Sequence, residues 1–348
     1  MPSRPCFIHI GTHKTGTTAI QVTMRTLAET LRREGVLYPS AAVYHAGHHN
    51  IVFEMLGDER FDLALGTLDD LCEEIRNAAA ERICLSSEAF EYLHASPQHL
   101  AHLRDAIRAL GYTPVVLLYV RPQADYVESL FAEMTKHRHA GTFSAFLEGI
   151  TVAGAFRANV YGCTETFTFT YDRIASDFAA TFGAENVAVR RYDRRRGAVI
   201  EDFLDLVAPG AAALAEAAQL RDVALNSRDD FACVAKRMID NDLSRHPEYI
   251  EGPTSTLPFD ELRVTGYTFA PLTTAERRRL ERRFAESNAA LARTWGVDLR
   301  TAASGSSPAS TGALTAQRLF RRFDDLLRTP RGTERIPLRE GAGGDSTA

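Results

Sequence analysis

Three stretches of this chain combine residue types that can do chemistry. The first is FIHIGTHKTGTT, residues 7–18, an apolar run leading into Gly11, Thr12, His13, Lys14, Thr15, Gly16, Thr17 and Thr18. Between a strand and a helix start, the backbone N–H groups of such a loop converge on one point, where the helix N-terminus favours an anion. A phosphate is the natural guest. The second is LLYVRPQADYVESLFAEM, residues 117–134, where Arg121 directly follows a buried-strand pattern and Ser129 comes eight residues later. An arginine fork with a hydroxyl on the next helix can hold a dianionic phosphate by charge-assisted hydrogen bonds. The third set comprises candidate proton acceptors: Glu88, directly after the strand-like RICLSS, and His48 and His49 in HAGHHN, residues 45–50. A carboxylate partly buried at a strand end can have its pKa raised toward working pH, and an imidazole near its natural pKa accepts protons readily. The same histidines fit a surface loop, and no Cys, Asp or Glu stands at metal-ligand spacing beside them. His13, inside the loop, either packs or faces an acceptor.

These groups need a scaffold that gathers strand ends. Cys6–Ile10, residues 82–87, PVVLLYV at 114–120 and NVAVRRY at 186–192 read as strands. Ile20, Met24, Leu27 and Leu31 lie at helical spacing in a segment from Thr17 to Glu34, ended by Gly35. Thr67 with Asp70 forms a capping box for a helix reaching about Ala80, and Ser96–Pro97 starts another that closes near Gly111. Further helices fall at 122–137, 143–150 and 171–182, and a charged amphipathic one at 274–295. Strands alternating with helices predict an α/β fold, a three-layer sandwich with a central parallel sheet and a P-loop-like phosphate-binding loop. Its strand C-terminal ends share one edge, where ligands bind.

Against the nucleotide-triphosphatase pattern G-x-x-x-x-G-K-[ST], Gly11, Gly16 and Thr18 fall in place, but Thr17 occupies the lysine slot and the lysine sits three residues earlier as Lys14. Only three of the 40 basic residues are lysines, Lys14, Lys136 and Lys236, so a lysine inside this loop is unusual. The displacement weakens a reading as an ATP- or GTP-cleaving enzyme.

HKTGTT resembles the 5′-phosphosulfate-binding loop of sulfotransferases that use 3′-phosphoadenosine 5′-phosphosulfate (PAPS), and Arg121 with Ser129 resembles that family's 3′-phosphate motif. The resemblance implies that Lys14, Thr15, Gly16, Thr17 and Thr18 hold the 5′-phosphosulfate, with Lys14 at the oxygen bridging phosphate and sulfate, and that Arg121 and Ser129 hold the 3′-phosphate. It implies transfer of a sulfuryl group to a hydroxyl, less readily an amine, of a small-molecule, carbohydrate or lipid acceptor, with Glu88, His48 or His49 as base and no metal. The run RRYDRRRG, residues 190–197, does not match the family's C-terminal basic element in position or context. The rival readings are a P-loop kinase using ATP and magnesium, and a non-catalytic nucleotide-binding module.

Composition bounds the rest. With 348 residues and 45% hydrophobic content the chain can bury a large core, and a net charge of −5 offers no overall field for nucleic acid or an anionic membrane. Cys6, Cys72, Cys84, Cys163 and Cys233 are scattered and form no C-x-x-C, which fits reduced thiols and a cytoplasmic, soluble protein. No run is long enough for a membrane span, and a strand starting at Cys6 leaves no room for a signal sequence. We expect one domain over residues 1–300, with 226–273 as a lid or substrate-side insertion. Residues 301–348 read as a low-complexity linker, a short basic amphipathic segment at 314–327 that is expected to be mobile, and a flexible tail.

Overall fold

The computed structural model describes residues 4–160, 162–195, 197–211, 229–245, 267–300 and 311–328. The strands are β1 (Arg4–His9), β2 (Val36–Leu37), β3 (Arg82–Ser86), β4 (Tyr112–Val120), β5 (Ala155–Val160), β6 (Cys163–Thr168) and β7 (Val187–Arg191). Five of them form one sheet in the order β2-β3-β1-β4-β7, every pair parallel, while β5 and β6 pair separately. Parallel neighbours require crossover connections, and helices supply them: α1 (Thr17–Thr26), α2 (Ala28–Arg33), α3 (His49–Leu56), α4 (Leu68–Ala78), α5 (Pro97–Ala109), α6 (Gln123–Lys136), α7 (Phe143–Ala153) and α8 (Tyr171–Phe182), while α9 (Ala198–Val207) follows β7. The α/β class and central parallel sheet are those expected from the alternation.

Side chains alternate across the sheet. Leu117 and Tyr119 join Cys84 beneath Ile20, Met24, Phe203 and Leu204 of α1 and α9. Ile8, Leu85, Val116 and Leu118 have the opposite parity, are fully buried, and lie on the side covered by α5 and α8.

Two helices break where the periodicity reads as continuous. The first pauses at Leu27 between α1 and α2, and the late amphipathic segment pauses at Phe284 between helices Thr274–Arg283 and Ala285–Trp295. The capping box forms as expected: Asp70 N–H donates to Thr67 Oγ1 at 3.2 Å and Thr67 N–H to Asp70 Oδ2 at 2.8 Å. Ser96 makes no side-chain cap bond to the start of α5; its hydroxyl meets His99 Nδ1 at 2.8 Å instead.

The chain clusters into two compact units interleaved in sequence. The first comprises Met1–Gln123, Asn159–Ser227 and Arg282–Arg300 and holds the five-stranded sheet. The second comprises Ala124–Ala158, Arg228–Glu281 and Thr301–Ala348. Within the second unit, the helix Thr311–Arg328 buries Phe320 and Phe323, with Phe320 5.0 Å from Phe269 and 6.3 Å from Phe143. Its fully buried Asp324 accepts from the backbone N–H groups of Phe143 (2.6 Å) and Ser144 (2.9 Å), capping the start of α7. That corrects the expectation of a mobile C-terminal segment over 314–327: its apolar stripe has a partner. Of the expected lid at 226–273, residues 229–245, which include the helix Phe231–Arg245, and residues 267–273 are described; 226–228 and 246–266 lie outside the described residues, as do the linker 301–310 and the tail 329–348. Among the described residues no helix is long and apolar enough to cross a membrane.

Candidate active site

The loop between β1 and α1 is built from its own hydrogen bonds. Gly11 accepts from Tyr119 N–H at 2.6 Å, and the N–H and Oγ1 of Thr12 both donate to Tyr119 O, at 2.8 and 3.2 Å. Thr15 is fully buried and its hydroxyl donates to Thr12 O at 2.6 Å. The Thr15 side chain therefore braces the loop, and its backbone is the part left to face a ligand. Gly16, at φ 85°, is the N-cap of α1 and its carbonyl accepts the first helical bond, from Ile20. A Cβ there would stand 2.9 Å from Val199 and 3.2 Å from Tyr192. Thr17 and Thr18 begin the helix. Since the N-cap lacks a side chain and the first turn has no acidic residue, neither a capping acceptor nor a carboxylate competes for the positive end of α1.

Arg121 comes to the same loop. It stands past the end of β4, is 4% exposed, and donates from Nη1 to the Lys14 carbonyl at 2.8 Å, with its guanidinium 5.5 Å from the centre of the Tyr192 ring. The structure thus places the arginine of the second motif against the lysine of the first. One guanidinium N–H is spent on holding the loop. Lys14 itself is half-buried and has φ 63°, a left-handed conformation that a non-glycine residue adopts only when its surroundings impose it. Ser129 is half-exposed on α6, in the second unit, and its pairing with Arg121 rests on sequence spacing.

Opposite the loop, Ser87 caps a 3-10 segment, Glu88–Ala95, by accepting from Ala89 N–H at 3.1 Å. Near its far end, His94 bonds Asp177 at 2.9 Å and Thr168 at 3.1 Å. With three residues per turn, positions i and i+3 share a face, so Glu88 and Glu91 both look at the loop. A Cβ at Gly11 would lie 3.2 Å from Glu88 Cβ, which explains the glycine there. Glu91 takes His13 instead, accepting from its backbone N–H at 3.4 Å and meeting its Nδ1 at 3.2 Å, while Tyr92 OH contacts Nε2 at 3.0 Å. Of the two readings of His13, the structure supports packing. Burial pushes His13 down, but the hydrogen bond and charge of Glu91, helped by Glu88 and Glu165, outweigh it and raise its pKa.

The adjacent histidines part ways. His48 is fully buried, faces Pro39 O with Nε2 at 3.1 Å and accepts the N–H of Ser86 at Nδ1, 3.2 Å away. Burial lowers its pKa to about 4, and both ring nitrogens are occupied, so the expectation of His48 as a base is corrected: it is a neutral structural link. His49 is half-buried, with Nδ1 2.7 Å from Ser87 Oγ and Nε2 3.9 Å from Glu88 Oε2. Burial lowers its pKa as well, against the pull of Glu88. Burial also pushes Glu88 up, yet the imidazoles of His49 and His13, a backbone N–H and the Gln21 amide, donating at 2.7 Å, hold its carboxyl at about 2. The expected upward shift of Glu88 is therefore corrected. It stands as a fixed negative charge and a poor proton acceptor, whereas burial keeps His49 neutral at physiological pH.

Gln21, Gly47, Glu91 and Tyr192 were not singled out in the sequence. Gln21 carried a signal, a polar residue on the apolar stripe of α1, and Gly47 lies so close that a Cβ would sit 2.7 Å from Gln21 and 2.9 Å from His49. Three of the arginines at 190–197 have partners of their own: Arg190 pairs with Asp202, Arg195 with Asp193, and Arg191 donates to Asp298 O at 2.9 Å. Among the described residues no group of three or more His, Cys, Asp or Glu could hold a metal ion.

Comparison of the sequence with protein-family models and with curated proteins gives no match. Among solved structures the chain is similar to a sulfotransferase from Alicyclobacillus acidocaldarius, at 13% identity and a TM-score of 0.43, covering 85% of this chain and 98% of that one. A likeness of that degree is distant, and the functional reading rests on the site itself.

Proposed function

We propose that this protein is a sulfotransferase that takes PAPS as donor and transfers its sulfuryl group to an acceptor hydroxyl by in-line displacement. The observation that carries the reading is the 2.8 Å bond from Arg121 to the Lys14 carbonyl, because it joins two anion-binding motifs that lie far apart in sequence. The loop residues fit the donor: an uncapped helix start free of acidic residues for the 5′-phosphate, and Lys14 beside it for the bridging oxygen, where negative charge grows as the bond to sulfur breaks. The resemblance assigns Arg121 and, on spacing, Ser129 to the 3′-phosphate, a task suited to a guanidinium, whose five N–H donors point along more than one edge. In the tautomer that donates its Nδ1 proton to Ser87, His49 keeps the Nε2 lone pair for the acceptor's proton, and Glu88 at 3.9 Å stabilises the imidazolium that forms. The acceptor classes are those of the sequence reading, a small molecule, a carbohydrate or a lipid. No nucleic-acid partner is proposed.

Calorimetry with 3′-phosphoadenosine 5′-phosphate, set against ATP plus magnesium, tests this directly. The expected outcome is saturable, magnesium-independent binding of the bisphosphate and transfer of labelled sulfate from PAPS. Preference for ATP plus magnesium would favour a kinase, and binding without transfer to a panel of hydroxyl acceptors would favour a nucleotide-binding module.

A further inference from the structure

Resting on the reading of residues 11–18 as the donor loop, we propose that Glu91 is a positioning residue which, through His13, sets the loop conformation that presents Lys14. Glu91 is fully buried, and a carboxylate without water needs a charge or several donors to offset its desolvation. Among the described residues both of its hydrogen bonds go to His13, one to the backbone N–H and one to the ring. Its other oxygen, Oε1, has no hydrogen-bond partner among the described residues, so His13 carries the whole task of balancing it. The imidazole is held on its remaining sides: the Tyr92 ring stacks 5.4 Å away with its hydroxyl on Nε2, and Phe167 meets it edge-on at 5.0 Å.

The consequence falls on the next residue. Lys14 is the loop's left-handed non-glycine position, and such backbone persists only where neighbours fix it on both sides. Glu91 fixes the residue before it through His13, and Arg121 fixes the Lys14 carbonyl itself. Removing the Glu91 charge leaves His13 without its counter-ion and frees the first of these two anchors.

The titratable groups facing His13 are Glu91 and Tyr92 on its own side, Glu88 one turn earlier, Glu165 on β6 and His49 on α3. Glu91 alone among the carboxylates touches the ring, so a change at Glu91 should dominate its titration.

The test uses the full chain and the variants Glu91→Gln, His13→Gln and the double substitution. Three quantities are measured: imidazole titration of His13 by NMR, amide hydrogen exchange of residues 12–18 without ligand, and affinity for 3′-phosphoadenosine 5′-phosphate between pH 6 and 9. We expect Glu91→Gln to bring the His13 titration below its wild-type position, speed loop exchange and weaken the nucleotide on the order of tenfold, as for loss of a charged hydrogen bond. The double substitution should be no worse than either single one, since the two residues act as one unit. Additive losses, or unaltered loop exchange with unaltered affinity, would overturn the proposal. Should Glu91→Gln fail to fold, His13→Gln carries the test by removing the imidazole that Glu91 holds; loop exchange and affinity equal to wild type would again overturn the proposal. If the wild type binds no nucleotide, the donor-site reading falls, while titration and exchange still decide whether Glu91 positions the loop.

Discussion

Two fully buried imidazoles should weaken this fold in acid. His9 and His48 each have a pKa lowered by burial from 6.5 to about 4. His9 meets Ser86 Oγ at 2.8 Å and packs edge-on against Tyr119 and Phe203, while His48 links Pro39 O to Ser86 N–H. For a group depressed on folding, the stability it contributes is complete above the unfolded pKa and is lost as pH falls through the folded value. The window is thus pH 6.5 down to about 4. At one pKa unit per ~1.4 kcal/mol, each histidine costs about 2 kcal/mol at pH 5 and about 3 kcal/mol below pH 4. Together they remove ~4 kcal/mol at pH 5, a large share of the 5–15 kcal/mol that holds a typical domain. His49 adds loss of the same sign, whereas Glu88 and Asp58, both held at about 2, contribute only at lower pH. Urea unfolding of the wild type at pH 7.5, 6 and 5, followed by circular dichroism, should show this steep fall. His48→Gln should cost about 1 kcal/mol or more at pH 7.5, from its two hydrogen bonds, yet roughly halve the acid slope because nothing there titrates. A variant slope equal to wild type would refute the assignment of His48 as a buried neutral link.

Three site predictions follow from the same geometry. Lys14→Ala should abolish sulfate transfer while moving stability little, because its side chain is half-buried; wild-type turnover would remove its role at the bridging oxygen. Arg121→Ala should weaken 3′-phosphoadenosine 5′-phosphate by ~1.5–3 kcal/mol, the value of a charged hydrogen bond, and destabilise the fold by a similar amount through the bond lost to Lys14 O; calorimetry and denaturation read the two separately, and an unchanged dissociation constant would refute the phosphate contact. Gly16→Ala should destabilise by about 2–4 kcal/mol, combining a left-handed backbone penalty with overpacking against Val199, and should lose nucleotide binding with it; a fully stable, binding variant would show that the loop tolerates a side chain there.

Much of the scaffold was legible because it depends on local chemistry. The strand–loop–helix at residues 7–18 and the box at Thr67 and Asp70 are written in residue types at short spacing. The breaks at Leu27 and Phe284 were not, since neither glycine nor proline marks them and the apolar period runs through. Within the site, sequence supplied candidates and tertiary contacts chose among them. His48 and His49 are neighbours of one type, yet the step along the chain turns one into the core between Pro39 and Ser86 and the other toward Glu88. Glu88 illustrates the opposite failure: burial alone argues for a raised pKa, and only the folded chain reveals Gln21 and the imidazoles that reverse it. The amphipathic helix at 311–328 looked mobile because its flanks are Gly- and Ser-rich, but Phe320 and Asp324 find partners more than 170 residues away.

On the function proposed above, the division of labour between Lys14 and Arg121 follows from their side chains. A carbonyl oxygen can be held by one N–H of a planar fork while the other donors keep their fixed directions; an ammonium used in that way surrenders the orientation of the rest. Arg121 can therefore brace the loop and still address an anion, and its near-complete burial keeps that fork in place. Lys14 suits the complementary task, a compact charge on a flexible stem that can follow a leaving oxygen as charge accumulates. With 37 arginines and three lysines in the chain, a lysine at the tip of this loop and an arginine behind it form an arrangement that exchange of the two residues would not preserve.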